Sequence, residues 1–250
     1  MTYCLGIMLD DGIVFAADSR THAGVDNVST FRKLHVFETP GERLIVVLSA
    51  GNLATSQAVI TQMEEGLDGG GPNDTLHQVP SMYEAAKLVG KAARNAQSAT
   101  EDDNPAADAD TDFSASFIVG GQINGRRMRL FQVYSVGNFI EATEDTAYLQ
   151  IGEAKYGKPI LQRVVARNMG LMGAAKCALV SMDSTIRSNV SVAPPLDILI
   201  YQIDTMATAT HQRITEDDRY FQMISDQWGE GLRRLYDELP NPAWKGEVDS

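Results

Sequence analysis

The chain opens MTYCLGIMLDDGIVFAADSR (residues 1–20), and the reading of this stretch decides the fold. Residues 2–9 and 13–17 are apolar, with β-branched and aromatic members, and Asp10-Asp11-Gly12 between them is a tight-turn signal. The pattern predicts a β-hairpin whose first strand begins at residue 2. A strand that starts there holds its first side chains in a packed place, whereas most termini fray. Thr2 is therefore expected to be positioned for a purpose.

A small residue after Met1 permits its removal, and Thr2 would then carry a hydroxyl and an α-amine together. The hydroxyl alone is a weak nucleophile. An α-amine with a pKa of about 8 suits a general base at neutral pH, and this pairing is an established way to activate a threonine. The hairpin returns Asp18 beside Thr2. A carboxylate there needs a cation, and Lys33, at the start of the next apolar strand, can bring its ammonium to the same point; it would lower the hydroxyl pKa while Asp18 keeps it charged. Gly51, in the strand-to-helix turn Ser49-Ala50-Gly51-Asn52, can offer its backbone N–H to a developing oxyanion. Singly, these residues read equally well as a strand end, a surface lysine and a turn glycine. Their order along the chain is what joins them.

The remaining sequence continues in blocks. KLHVFET (33–39) and RLIVVLSA (43–50) flank Pro40-Gly41-Glu42 as a second hairpin. Helical spacing follows from Leu53 to Met63, up to the break at Gly69-Gly70-Gly71-Pro72, and again from Ser81 to about Ala99. The acidic stretch 101–111 is expected as a loop. FSASFIVGGQI (113–123), RMRLFQVYSV (127–136), FIEATE (139–144) and AYLQIG (147–152) read as a run of antiparallel strands. Helical spacing returns at Ile160–Val165 and Leu171–Ile186, a strand is predicted over 197–204, and a last helix from about Thr215. Segregated strand blocks and helix pairs imply an α+β layered fold, two sheets face to face with helices on each outer side. It is read as one domain, 1–250, with a helical C-terminal extension from about 206.

Composition narrows the function. With 33 acidic against 21 basic residues the net charge is −12, which disfavours nucleic-acid and anionic-membrane binding. Cys4 and Cys177 stand far apart, indicating no disulfide framework, and His22, His35, His77 and His211 lack metal-ligand spacing, so neither a metal nor another cofactor is expected. No basic leader precedes Arg20, and the uncharged run Leu44–Met63 carries too many polar residues for a membrane span. A cytoplasmic protein is expected.

The string T…G…DDGIVFAADSRTHAG…FRKLHVF…SAGN resembles the N-terminal third of proteasome β-subunits and the bacterial HslV peptidase, members of the Ntn hydrolase superfamily. The wording of the N-terminus and the long C-terminal segment look most like the Anbu, or ancestral β-subunit, branch. The resemblance implies a four-layer αββα sandwich and a threonine peptidase working in a homo-oligomeric ring or helical particle on peptide or unfolded protein, with any unfoldase partner unspecified. It further implies Thr2 as nucleophile, Asp18 and Lys33 as its supporting pair, Gly51 as oxyanion donor, Ser49 and Leu53 near the first side-chain pocket, and Thr21 and His22 near the substrate backbone. Two departures stand out. The family's Gly-Ser-Gly before the third helix is here Gly152-Glu153-Ala154, and Glu153 either pairs with the Thr2 ammonium or faces solvent. The family's Asp-x-x-Ser survives only in part, carried over as Asp183 with Ser188. Glu153 keeps open a catalytically weak or silent assembly component, and the same chemistry admits a small amide or γ-glutamyl compound as substrate. The apolar side of the 220–239 helix either packs on its own subunit or meets a neighbour.

Overall fold

The computed structural model describes residues 1–22, 28–67, 71, 73–103 and 111–242. In chain order its strands are β1 (Tyr3–Met8), β2 (Gly12–Asp18), β3 (Arg20–His22), β4 (Val28–Thr30), β5 (Leu34–Thr39) and β6 (Arg43–Gly51). Helices α1 (Leu53–Glu65) and α2 (Met82–Asp103) follow, then β7 (Ala115–Ile123), β8 (Arg129–Val133), β9 (Phe139–Glu141) and β10 (Tyr148–Gly152). Helices α3 (Ala154–Val164) and α4 (Leu171–Ser188), strands β11 (Leu196–Gln202) and β12 (Thr208–Ile214), and helix α5 (Arg219–Glu238) complete the chain.

The opening hairpin forms with Cys4 opposite Ala17 and Met8 opposite Ile13. It is the centre of a five-stranded sheet ordered β10-β1-β2-β11-β12, while a second sheet runs β5-β6-β7-β8-β9. Side chains alternate across each strand. Tyr3, Leu5 and Ile7 face outward onto α3 and α4, meeting Leu161, Ala178 and Met182. Cys4 and Met8 face inward, where Leu44, Val46 and Leu130 of the second sheet close an inter-sheet core. Both faces of β1 and β2 are thus covered, which is why their sequence is apolar throughout. On the far side Ile45, Val47, Phe117 and Val119 of the second sheet meet the small-residue stripe Ala85, Ala86, Val89, Ala92 and Ala93 of α2. The result is the α+β, four-layer αββα sandwich that the sequence predicts.

The sequence reading omits the short pair β3–β4, and three further elements differ from it. The strand run after residue 111 divides: β7, β8 and β9 continue the second sheet, but β10 crosses to pair with β1. The segment from about 206 begins as a strand, β12, before the helix. This edge strand, TATHQRI, is largely exposed and polar, so it carries no apolar alternation to reveal it. Helix α2 continues to Asp103 into the acidic stretch, of which residues 104–110 lie outside the described residues, as do Gly69 and Gly70.

The Tyr3 side chain is sealed between β1 and the helix layer. Its hydroxyl shares a hydrogen bond with Ser181 Oγ at 2.7 Å and accepts one from Gln150 Nε2, and burial pushes its pKa up. Tyr3→Phe leaves these buried partners short of a bond and is expected to cost about 1–3 kcal/mol. Urea unfolding should show a lower midpoint at unchanged slope.

Candidate active site

Thr2 sits at the start of β1 and is 8% exposed. Backbone groups hold it from both sides. Its carbonyl accepts a hydrogen bond from the Glu153 N–H at 2.7 Å, and the next N–H, of Tyr3, donates to Asp18 Oδ1 at 2.9 Å. Gly152 makes the first contact possible, because its φ is +78° and a Cβ there would overlap the Thr2 carbonyl.

Asp18 ends β2 with no solvent exposure. Lys33 Nζ donates to its two oxygens at 2.9 and 3.0 Å and to the Arg20 carbonyl at 2.7 Å. These three acceptors match the three protons of the ammonium. Burial pushes the Asp18 carboxyl above the usual carboxylate range, and the Lys33 charge and the Tyr3 N–H act against that rise.

In front of this pair lies a cavity of about 520 Å³, bordered by Thr2, Thr21, Lys33, Ser49, Gly51 and Leu53. Ser49 and Gly51 end β6, and Leu53 opens α1, whose cap Asn52 accepts from the Thr55 N–H at 3.2 Å. Gly51 has φ +113°, and a Cβ on it would collide with the Ser114 carbonyl of the neighbouring strand entry, so only glycine makes this corner. Six residues singled out in the sequence therefore meet around one cavity, with Asp18 directly behind Lys33. His22 belongs to β3, but its side chain lies outside the described residues.

The structure does not bring Asp183 and Ser188 to this cavity. Asp183, on α4, accepts from Arg187 Nε at 3.3 Å and from Ser225 Oγ at 2.6 Å. Ser188 is exposed at the end of α4, donating to the Ser184 carbonyl. Glu153 does not simply face solvent. Its carboxylate lies 3.6 Å from Lys155 Nζ, only 12% exposed, while its backbone N–H anchors Thr2. Arg32, His35 and Gln57 also line the cavity and were not anticipated. His35 was within reach of sequence reasoning, since it follows Lys33 by two residues and shares its face of the strand. Among the described residues no cluster of His, Cys, Asp and Glu is placed to hold a metal, and no helix is long and apolar enough to cross a membrane.

A double-sheet sandwich between helix layers, with this cavity at the start of its first strand, defines a proteasome-type subunit, and a family model described as proteasome subunit matches residues 2–200. Comparison with curated proteins gives no match. Among solved structures the chain is similar to Anbu (ancestral β-subunit) from Yersinia bercovieri, at 49% identity over 97% of this chain and 100% of that one, TM-score 0.87. It is similar to Anbu from Hyphomicrobium sp. strain MC1, at 47% identity over 97% and 100%, TM-score 0.86. It also matches a helical assembly of the Anbu complex from Pseudomonas aeruginosa, at 48% identity over 96% and 98%, TM-score 0.88. The chain belongs to the Anbu branch of the proteasome subunit family.

Asp18→Asn removes the anion and leaves the Lys33 ammonium buried without a counter-charge. The expected destabilisation is about 3–5 kcal/mol. Guanidinium unfolding checks it, with Lys33→Met in the Asp18→Asn background expected to recover part of the loss.

Proposed function

We propose that the chain is an N-terminal-threonine hydrolase that cleaves peptide bonds within a homo-oligomeric particle. The observation that carries this reading is the meeting of Thr2 with the buried Asp18–Lys33 pair at one cavity. After loss of Met1, the Thr2 α-amine takes the hydroxyl proton as Oγ attacks the substrate carbonyl. The Lys33 charge favours the developing alkoxide, and the Gly51 N–H stabilises the oxyanion. The amine then returns its proton to the leaving nitrogen, giving an acyl ester on Thr2. Water, deprotonated by the same amine, releases the acid and restores the hydroxyl. Short peptides or unfolded segments are the substrates that an open cavity of this size admits, and nothing in the chain identifies an unfoldase.

Self-association is supported by the solved helical assembly of a relative and by α5. The helix divides along its length. Phe221 and Ile224 are buried and Trp228 packs on the same cluster, whereas Leu232, Leu235, Tyr236 and Leu239 are more than half exposed. Apolar surface of that kind is usually covered by a partner, here another copy. Two free buried thiols, Cys4 and Cys177, fit the reducing cytoplasm. The second reading, a weakly active or silent assembly component, is favoured by Glu153, whose carboxylate is drawn to Lys155 and supplies no hydroxyl to the site.

Intact-mass analysis after incubation with a peptide epoxyketone tests the chemistry, because the ring adduct needs both the hydroxyl and a free α-amine. An adduct is expected on the Met1-free chain and none on Thr2→Ala. A Met1-free chain that stays unmodified would oppose the peptidase reading. Glu153→Ser separates the second reading: a rise in peptide turnover of about tenfold, the scale of one supporting hydrogen bond, would mark the native site as weakened.

A further inference from the structure

The cavity beside Thr2 has a charge pattern opposite to that of the protein. The chain carries −12 overall, yet among the described residues no carboxylate lines the cavity, and Asp18 behind it is consumed by Lys33. Of the cavity's basic groups, Lys33 is thus already neutralised. His35 is half-buried, tied to the Arg32 backbone and held below the usual histidine pKa by burial and by the Arg32 charge, so its ring is neutral at physiological pH. Apart from the terminal α-amine, Arg32 is left as the unneutralised cation, with no ion pair among the described residues.

Its backbone is not free to drift. The Phe31 N–H donates to the Ser19 carbonyl at 2.9 Å, and the Ser49 N–H donates to the Lys33 carbonyl at 3.0 Å, so Arg32 stands between two fixed residues. The other polar liners, Thr21, Ser49, Asn52, Ser56 and Gln57, are neutral. A lysine or arginine side chain entering this space would meet Arg32 with no acid among the described lining residues to offset it. An apolar one would fill the space but strip water from the Arg32 guanidinium. A carboxylate gains a charge-assisted hydrogen bond.

We propose that the cavity selects substrates by an aspartate or glutamate side chain on the acyl side of the cleaved bond, with Arg32 as its partner. Arg32 is a specificity-determining residue and takes no part in bond cleavage. The proposal rests on the reading of Thr2 as nucleophile for its placement at the scissile bond, but its test does not need the chemistry. In the Thr2→Ala chain freed of Met1, calorimetry compares N-acetyl peptide amides that differ only in a last residue of Glu, Gln, Leu or Lys. The Glu peptide is expected to bind about tenfold tighter than the Gln peptide, as one hydrogen bond between charged groups would give. The gap should shrink with added salt and close in Thr2→Ala/Arg32→Gln. Equal binding of Glu and Gln, tighter binding of Leu or Lys, no binding of any of the four, or a preference that survives Arg32→Gln would each overturn the proposal. The epoxyketone adduct on the unsubstituted chain reads the nucleophile separately. A Glu preference without an adduct removes the chemistry and keeps the selection, and an adduct without a preference does the reverse.

Discussion

The ion pair between Asp18 and Lys33 is the constraint on which the site depends. Asp18 ends the second strand of one sheet and Lys33 leads into the first strand of the other, so a single contact joins the two sheets where the chain begins. Taking both charges out of water is costly, and the pair holds only because its geometry is complete, with two bonds between the partners, one to the Arg20 carbonyl and one from the Tyr3 N–H. An apolar pair of equal volume would serve stability as well. It would not fix the position of Tyr3 N–H, and through it the residue before. The cost of burial is thus exchanged for placement of Thr2.

Backbone groups complete that placement. The Glu153 N–H bonds the Thr2 carbonyl regardless of the side chain it carries. Gly152 is required for the same approach, and Gly51 for the corner on the other wall of the cavity. Substitution of a side chain at 153 therefore alters charge near the site while leaving the position of Thr2 intact.

How much of this is legible in the sequence follows from burial. Strands covered on both faces announce themselves as unbroken apolar runs, so the two opening hairpins, and the Thr2, Asp18, Lys33 and Gly51 they carry, can be read directly. The polar edge strand β12 cannot, because half-exposed or exposed positions such as Thr208, His211 and Arg213 follow no apolar pattern. The crossing of β10 to the first sheet is equally silent: YLQIG suits either partner, and only the closed packing of both sheets decides. Arg32 is inconspicuous in the sequence for a different reason. It adjoins the more conspicuous Lys33, and what distinguishes the two is the presence or absence of an acidic partner, which depends on the fold alone.

Asp183 shows the same limit from the other side. Its place in a partial motif marks it as a candidate for the active site, but in the fold its carboxylate is 4% exposed and engaged by Arg187 and by Ser225 of the last helix. Arg187 also reaches Ser225 Oγ at 2.6 Å, closing a three-membered polar clamp between α4 and α5. A buried carboxylate needs such partners, and these bonds direct it to the helix layer, away from the sheet ends. The clamp works together with Phe221, Ile224 and Trp228, which bind the first half of α5 to its own subunit. Among the described residues beyond Trp228 neither polar clamp nor core remains. Leu232, Leu235, Tyr236 and Leu239 of the second half are exposed, and the Asp183 clamp fixes the direction in which the helix carries them.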